Sequence, residues 1–265
     1  MRNDDAYAEI AVYYRKLAGG RDHFSKQFML IKELLRRFNQ TENPKILDAA
    51  CGTGDVLKML LNEAKVDATG VDGSHKMMEI ALNDPNINKD NLHAPCQWQE
   101  FSSFGVKKFD FVFILGHALP HLEPIDIPAV FTQIYNILTP NGVFCFDMRF
   151  WERDSQNRLY ETGRPAEIWR WLGEFEQAGE RLALEDFCSY CYTKGKQHVN
   201  YRIKRMAPEP RAVISRSTLE YSLFDQHDVQ TWLSSTKFGH NVELIYPKVL
   251  DWKYLVVVAR KQGNS

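Results

Sequence analysis

The sequence predicts an α/β protein with a doubly wound, mostly parallel sheet of seven strands. Three observations support this prediction. Residues 45–54, KILDAACGTG, have the pattern of a buried strand that runs into a glycine-rich turn, and residues 55–64 carry apolar side chains at helical spacing. A second short strand ends in Asp72, about 20 positions beyond that turn. Residues 109–115 form a nearly unbroken apolar run, which is typical of a central strand buried on both faces.

The glycine turn predicts a ligand site. Without a Cβ at Gly52 and Gly54, the chain can turn tightly and a ligand can lie against the backbone. Asp72 stands where nucleoside-binding α/β folds place the acceptor of the ribose hydroxyls, although an Asp capping the helix that begins near Ser74 would explain it too. A dinucleotide fingerprint requires a small residue three positions after the second glycine, where Leu57 stands, so NAD is disfavoured.

Further elements are predicted on both sides of the glycine turn. Residues 1–44 are expected to form a helical cover, with an amphipathic helix over 21–38. After Asp72, a helix capped by Ser74 turns Met77 inward. Residues 92–101 are predicted as the third strand or its end.

The second half of the chain continues the sheet and then interrupts it. A helix over 126–138 leads into a strand that ends near Arg149. From 151 to 223 the pattern changes to a polar stretch and alternating segments, which predicts an antiparallel β insertion after the fifth strand, placed as a lid over the strand ends. A helix over 228–238 and two closing strands complete a single predicted domain, residues 1–265.

Composition narrows the partners and the compartment. With 33 basic and 34 acidic residues the net charge is −1, so no overall field attracts nucleic acid. An odd count of five cysteines without framework spacing, and an N-terminus unlike a signal peptide, favour the reducing cytoplasm. Since no apolar run reaches transmembrane length, we expect no membrane partner. A homo-oligomer remains open.

Two short motifs raise the question of a metal. Cys188 and Cys191 form a CxxC pair, but positions three apart on a strand point to opposite faces, so these thiols would not share a metal. His117 and His121 are four apart, yet Pro120 lies between them in a turn and no third ligand is evident. We therefore expect no metal site, and a hydrogen-bonding role for at least one histidine.

Several motifs carry a resemblance to known families. The run DAACGTGD resembles the first motif of class I S-adenosylmethionine (SAM) methyltransferases, which have a Rossmann-like fold. The segments LGHALPHL and FDMRFWE are similar to LGNSFxHL and DxRNYD of glycine N-methyltransferase and the bacterial glycine/sarcosine N-methyltransferases. Tyr14 and Arg21 have the spacing of that family's methyl-site tyrosine and SAM-binding arginine, and Gln97-Trp98 matches its adenine-binding pair. One position departs: His117 replaces the family's asparagine.

The resemblance implies roles for individual residues. Arg149 would clamp the carboxylate of the acceptor, the molecule that receives the methyl group, although an ion pair with Asp147 or Glu152 would also explain it. Trp98 is equally expected as a core residue. The acceptor and catalytic set is Tyr14, His117 and Arg149, with His121 also contacting the substrate; the set for SAM and its product S-adenosylhomocysteine is Arg21, Asp48, Ala50, Gly52, Gly54, Asp72, Gly73, Met77, Gln97, Trp98 and Leu115.

The expected function is SAM-dependent N-methylation of a small amino acid or related amino-carboxylate, by direct in-line transfer. The bulk and titration of His117 leave two roles open for it, shaping the acceptor pocket or taking up the amine proton. Two other functions stay open: O- or C-methylation of a larger natural product, and SAM binding without turnover in a sensor or assembly subunit.

Overall fold

The computed structural model describes residues 5–38, 41–63, 65–105, 108–149, 168–207, 212–246 and 254–263. Its helices are α1 (Tyr14–Leu17), α2 (Gly20–Phe38), α3 (Asp55–Leu61), α4 (His75–Leu82), α5 (Ile127–Ile137) and α6 (Gln226–Ser234). Its strands are β1 (Lys45–Asp48), β2 (Asp67–Gly70), β3 (Phe109–Ile114), β4 (Leu138–Met148), β5 (Arg170–Gln177), β6 (Glu180–Cys191), β7 (Lys196–Arg205), β8 (Val213–Ser222), β9 (Val242–Ile245) and β10 (Leu255–Arg260).

The main sheet has six described strands in the order β2-β1-β3-β4-β10-β9. Strands β2, β1, β3 and β4 run parallel, whereas β10 is antiparallel to both of its neighbours, as predicted for the closing pair. The carboxyl ends of the four parallel strands therefore share one edge, and the loops that leave this edge can build one site.

Helices cover both faces of this sheet, as the predicted doubly wound fold requires. On β3, Phe111 and Phe113 pack with apolar residues of α2 and α3, while Val112 and Ile114 pack with those of α5 and α6. This alternation follows from the two-residue period of a strand. Each of these side chains is at most 1% exposed, and burying one stabilises the fold by about 1.5–3 kcal/mol.

The prediction of seven strands was wrong for the described part of the sheet, because residues 92–101 do not form the expected third strand. They make a single parallel bridge, between Leu92 and Gly70, before a 3₁₀ helix, Trp98–Phe104, begins. Pro95 has no amide hydrogen for a sheet, and the 3₁₀ helix begins only three residues later, so the segment cannot extend as a strand.

A second, antiparallel sheet of four described strands, β5-β6-β7-β8, lies between β4 and α6 in the sequence. The hairpin predicted from the alternating segments is confirmed as β6 and β7. The sheet joins the main body where the Ser222 hydroxyl donates to the Leu122 carbonyl at 2.8 Å. The first part of the predicted insertion, residues 151–167, lies outside the described residues, so the boundaries at 44, 151 and 223 stay predictions.

Candidate active site

The loops after the parallel strands carry most of the predicted site residues. Asp48 ends β1, Asp72 follows β2, His117 follows β3 and Arg149 follows β4. Because these strands are parallel, the four residues stand at the same edge of the sheet. This is the position in which open α/β sheets bind ligands.

The glycine turn is fastened to the loop after β2. Gly52 and Gly54 have positive φ of 53° and 77°, which favours glycine. The Gly52 amide donates to Oδ2 of Asp72 at 2.9 Å, and the Ser74 amide donates to Oδ1 at 2.8 Å. Burial raises the pKa of Asp72, and these amides oppose that rise. Each oxygen retains a lone pair, so Asp72 can still accept two hydroxyl hydrogens.

A narrow cleft lies between the glycine turn and α2. Tyr14 lines it, and its Cε1 lies 3.5 Å from where a Cβ of Gly52 would stand. Asp48 is 4% exposed, and burial raises its pKa to about 8. The cleft is lined by Tyr14, Phe24, Gln27, Asp48, Ala50 and Leu115, among others.

The remaining cofactor residues of the prediction are more scattered. Gln97 donates through Nε2 to the Gly73 carbonyl at 3.2 Å, so these two lie together beside Asp72. The Trp98 indole donates to the Ala49 carbonyl at 2.5 Å and packs against the core, which gives Trp98 a structural role at least. Arg21 is exposed at the start of α2, and within the described residues no hydrogen bond links it to the cleft.

Two further predicted positions lie against the core. Met77 is buried in α4, where its amide donates to the Ser74 hydroxyl at 3.1 Å. A Cβ at Gly54 would stand 2.5 Å from the Ile87 side chain, so this face of the turn is turned away from the cleft.

His117 is held in a specific geometry. Its φ of 61° lies in the left-handed region, where histidine and asparagine are among the few residues enriched. Its amide donates to Oδ1 of Asp147 at 2.8 Å, and its Nδ1 accepts the Arg149 amide at 3.1 Å. Because Nδ1 accepts a hydrogen, the neutral ring carries its own hydrogen on Nε2. The ring stacks with those of Tyr221 and Tyr254, at centroid distances of 5.6 and 5.5 Å.

His121 also packs against Tyr221, with ring centroids 4.4 Å apart. Its Nδ1 is 3.2 Å from the Glu220 carbonyl oxygen, and its Nε2 is 2.8 Å from the Tyr7 hydroxyl. Burial lowers the pKa of His121 to about 4, so the ring is neutral at physiological pH.

Four tyrosines at the site were missed by sequence reasoning: Tyr7, Tyr201, Tyr221 and Tyr254. Tyr221 stacks with His117 and packs at a tilt against His121, and Tyr7 meets Tyr14 edge-on at 5.9 Å. Burial raises the pKa of each of the four. Tyr201 and Tyr221 come from the antiparallel sheet and Tyr7 from the N-terminal segment, so no local pattern links them to the glycine turn.

The ring contacts above join one aromatic group: Tyr7, Tyr14, His117, His121, Tyr221 and Tyr254. Arg149 is exposed where β4 ends, beside this aromatic group. Burial, followed by the charge of Asp147, raises the pKa of Tyr254 to about 12, and the Arg149 guanidinium opposes that rise. The guanidinium acts in the same direction on the pKa of the Cys188 thiol in β6. Its charge therefore acts on groups of both the main sheet's edge and β6.

Comparison with known proteins matches this architecture. A family described as "Methyltransferase domain" covers residues 46–142, from β1 to the start of β4. That range contains the glycine turn, Asp72 and the His117 loop. Residues 46–142 thus match a methyltransferase domain. The enzyme class and the cofactor expected from the sequence are thereby supported, whereas the finer resemblance to glycine N-methyltransferases stays a prediction.

Curated relatives agree with this assignment of the methyltransferase domain. A "Putative methyltransferase YqeM" of Bacillus subtilis is 31% identical over 108 residues, which are 40% of this chain and 43% of that protein. A putative methyltransferase of Geobacillus sp. is 29% identical over 143 residues, 54% of this chain and 57% of its own length. The matched region thus spans about half the length of these relatives.

Solved structures share the fold over nearly the whole chain. The sugar N-methyltransferase KedS8 from Streptoalloteichus sp. has a TM-score of 0.71 and 16% identity, covering 95% of this chain and 92% of its own. Streptomyces venezuelae DesVI has a TM-score of 0.70 and 17% identity, covering 98% and 99%. At these identities the likeness concerns the fold alone.

No described group of three or more His, Cys, Asp and Glu side chains is placed to hold a metal ion. Among the described helices, none combines the length and apolar character that a membrane crossing requires.

Proposed function

We propose that this chain transfers a methyl group from SAM to the amino group of a small amino-carboxylate. The observation that carries the proposal is the aromatic group beside the glycine turn, in which one ring nitrogen of each histidine already accepts a hydrogen bond. Tyrosine rings and neutral imidazoles form a site suited to an amine that becomes a cation.

The residues present fit SAM. Asp72 has lone pairs left for two ribose hydroxyls, and the cleft beside Tyr14, Asp48 and Ala50 can take the amino-acid end of the cofactor. Gln97 and Gly73 lie next to Asp72, where the nucleoside continues. When bound, SAM supplies a methyl group on a sulfonium, which the acceptor lone pair takes as the carbon–sulfur bond breaks.

The protein must then align the acceptor with the methyl group and exclude water from the site. The acceptor nitrogen must lie behind the methyl carbon with its lone pair directed at it, a task of positioning. The nitrogen gains the positive charge that the sulfur loses. The faces of Tyr14, Tyr221 and Tyr254 can stabilise that charge as cation–π partners.

This geometry favours an amine over a hydroxyl acceptor. A hydroxyl must lose its proton before or during transfer and so needs a base, whereas a neutral amine already presents its lone pair. At His117, Nδ1 accepts the Arg149 amide, and at His121, Nε2 lies against the Tyr7 hydroxyl. The unprotonated nitrogen of each histidine therefore already accepts a hydrogen bond. Neither ring can take a proton from a hydroxyl without breaking that bond.

Arg149 supports a carboxylate on the acceptor. A guanidinium offers two parallel donors that match a carboxylate, and this one lies at the open side of the aromatic group. Held there, the carboxylate would fix the distance from Arg149 to the amine, and so the size of the acceptor.

A second candidate acceptor is an aminosugar. The sugar N-methyltransferase KedS8 shares the fold over 95% of this chain, a span that includes the antiparallel sheet. An aminosugar has the same reacting amine but no carboxylate. Under this alternative, Arg149 would have no anionic partner on the acceptor.

A labelled-methyl assay tests the proposal. The full chain is incubated with SAM carrying a radioactive methyl group and with three acceptor sets: small amino acids and their N-methyl derivatives, aminosugars, and hydroxy acids or phenols. We expect label in the amino acids and none in the acceptors that offer only a hydroxyl. Label in the hydroxyl set alone would overturn N-methylation, and SAM binding without transfer to any set would favour a sensor.

A further inference from the structure

His121 and Tyr7 form a hydrogen-bonded pair whose direction the structure fixes. The Glu220 carbonyl can only accept, so the contact at 3.2 Å requires a hydrogen on Nδ1 of His121. In the neutral ring Nε2 then has no hydrogen and accepts one from the Tyr7 hydroxyl, 2.8 Å away. The hydroxyl hydrogen of Tyr7 is therefore directed at His121, and in the hydrogen bond between Tyr7 and Tyr221 the Tyr221 hydroxyl is the donor, which leaves the Tyr7 oxygen one further lone pair.

The direction of this hydrogen bond limits how the Tyr7 hydroxyl can interact with its other neighbours. A phenol that donates its hydrogen to one partner can act toward others only as an acceptor. Tyr7 lies among the residues of the proposed site, since its ring meets Tyr14 edge-on at 5.9 Å and that of His121 at 5.6 Å. Burial raises the pKa of Tyr7, and negative charge on Tyr221, Tyr14 or Asp72 would raise it further.

The backbone is held by hydrogen bonds before and after Tyr7. Asp5 accepts the Ser74 hydroxyl at 2.8 Å and the Lys76 amide at 3.0 Å, at the start of α4. The Ala6 and Glu9 carbonyls accept the Ser217 and Ser215 hydroxyls of β8, at 2.8 and 2.7 Å. The segment that carries Tyr7 is thus joined both to the start of α4 and to the antiparallel sheet.

We propose that His121 is a positioning residue which, by accepting the Tyr7 hydroxyl hydrogen, makes the Tyr7 oxygen an acceptor for an N–H of the acceptor amine. This rests on the proposed N-methylation and deepens it. An amine that donates an N–H to a fixed oxygen has its lone pair turned to a defined direction. His121 would then act through Tyr7, whereas the sequence suggested direct substrate contact by His121.

The first test needs no activity. Nitrogen NMR of the histidine rings in the intact protein at neutral pH, with His121 assigned by its loss in His121→Gln, reports which nitrogen carries hydrogen. We expect the Nδ1–H form at His121, with an Nε2 shift that moves in Tyr7→Phe. A charged ring, or an Nε2–H form, would overturn the inference whatever the enzyme methylates.

The second test is a double-mutant cycle with an amine acceptor. Tyr7→Phe removes the oxygen, and His121→Phe keeps a ring but removes the acceptor nitrogen. We expect each to lower kcat by about tenfold to a hundredfold, the scale of a misplaced reacting group, with the Kd for SAM unchanged. Because His121 acts through Tyr7, the double variant should be no worse than Tyr7→Phe, and His121→Gln should recover part of the loss.

The matched control is His198→Phe, since His198 contacts the Glu220 side chain at 3.0 Å and not its carbonyl. It should leave kcat unchanged. Losses that multiply in the double variant, or an unaffected kcat in His121→Phe, would overturn the positioning role while leaving N-methylation intact. A wild type inactive toward every amine would instead reject the proposed function, and the NMR result would still decide the direction of the hydrogen bond.

Discussion

The amide of Gly52 donates to the Asp72 carboxylate at 2.9 Å, which joins the loop after β1 to the end of β2. This hydrogen bond helps to hold the glycine turn in shape. Asp72 also accepts the Ser74 amide at the start of α4, so one side chain organises both loops.

Asp72→Ala should therefore affect both cofactor binding and folding. If Asp72 accepts the ribose hydroxyls, its loss should weaken SAM binding by about 2 kcal/mol or more, the scale of hydrogen bonds to a charged group. Two backbone amides also lose their acceptor, so the melting temperature should fall. Calorimetry and thermal unfolding measure the two effects. Unchanged SAM affinity in the folded variant would remove Asp72 from the cofactor site.

Alanine at the two glycines of the turn should have different consequences. A Cβ at Gly54 would stand 2.5 Å from Ile87 Cδ1, in addition to the strain of a positive φ, so Gly54→Ala should destabilise the fold by about 2 kcal/mol or more. Gly52 has a positive φ too, but a Cβ there would meet Tyr14 at an ordinary 3.5 Å, so Gly52→Ala should destabilise the fold less and should also weaken SAM binding. Denaturant unfolding and calorimetry on both variants test this. Equal losses of stability in the two variants would contradict the inference that Gly54 faces the core and Gly52 faces the cleft.

Arg149→Lys keeps the charge but loses the planar pair of donors. We expect kcat/KM for an amino-carboxylate to fall by about tenfold to a hundredfold, with the Kd for SAM little changed. The backbone hydrogen bond from residue 149 to His117 is retained, so the His117 ring stays in place. An amine without a carboxylate is the control acceptor. Equal losses for both acceptors would identify Arg149 as structural and favour the aminosugar alternative.

The fold was largely predictable because its signals are local. The apolar run of β3 and the glycine turn each lie within about a dozen consecutive residues, so a local pattern predicts them. Both are present in the structure. The third strand was mispredicted because the apolar and aromatic residues between 92 and 101 belong to a 3₁₀ helix that packs Phe101 into the core. Short apolar segments leave that choice to tertiary packing.

The aromatic side of the site was not predictable in the same way. Tyr7 and His121 meet although 114 positions separate them, and each lies in a segment with no periodic pattern. Tyr221 alternates along β8 like any strand residue, so nothing local distinguishes it from a core tyrosine. The resemblance supplied His117 and Arg149 because their motifs are contiguous, whereas the rings that pack on His117 come from separate parts of the chain.

Asp48 should make the stability of the ligand-free protein depend on pH. Burial raises its pKa from an ordinary value near 4 to about 8 in the folded state. The folded chain then binds a proton that the unfolded chain has lost, so this contribution to the free energy of unfolding is complete below about pH 4 and is lost as pH rises toward 8.

Asp48→Asn should remove that dependence and raise the free energy of unfolding at neutral pH by about 1 kcal/mol or more. Denaturant titrations at several pH values measure it, with exposed Asp90→Asn as the control. A pH profile that matches the wild type between 4 and 8 would show that Asp48 is ionised in the folded state.

His117→Asn tests the position at which this chain departs from the family it resembles. Asparagine tolerates a φ of 61°, so the variant should fold with little loss of stability. It replaces a ring stacked with Tyr221 and Tyr254 by a smaller amide, so the acceptor preference should shift toward glycine or sarcosine. Because Nδ1 already accepts the Arg149 amide, we expect the acidic limb of the rate profile to stay where it is. Competition assays and pH profiles measure the two effects, with His93→Asn as a control away from the cleft. Loss of the acidic limb would make His117 the base, and an unchanged acceptor preference would leave it a scaffold residue.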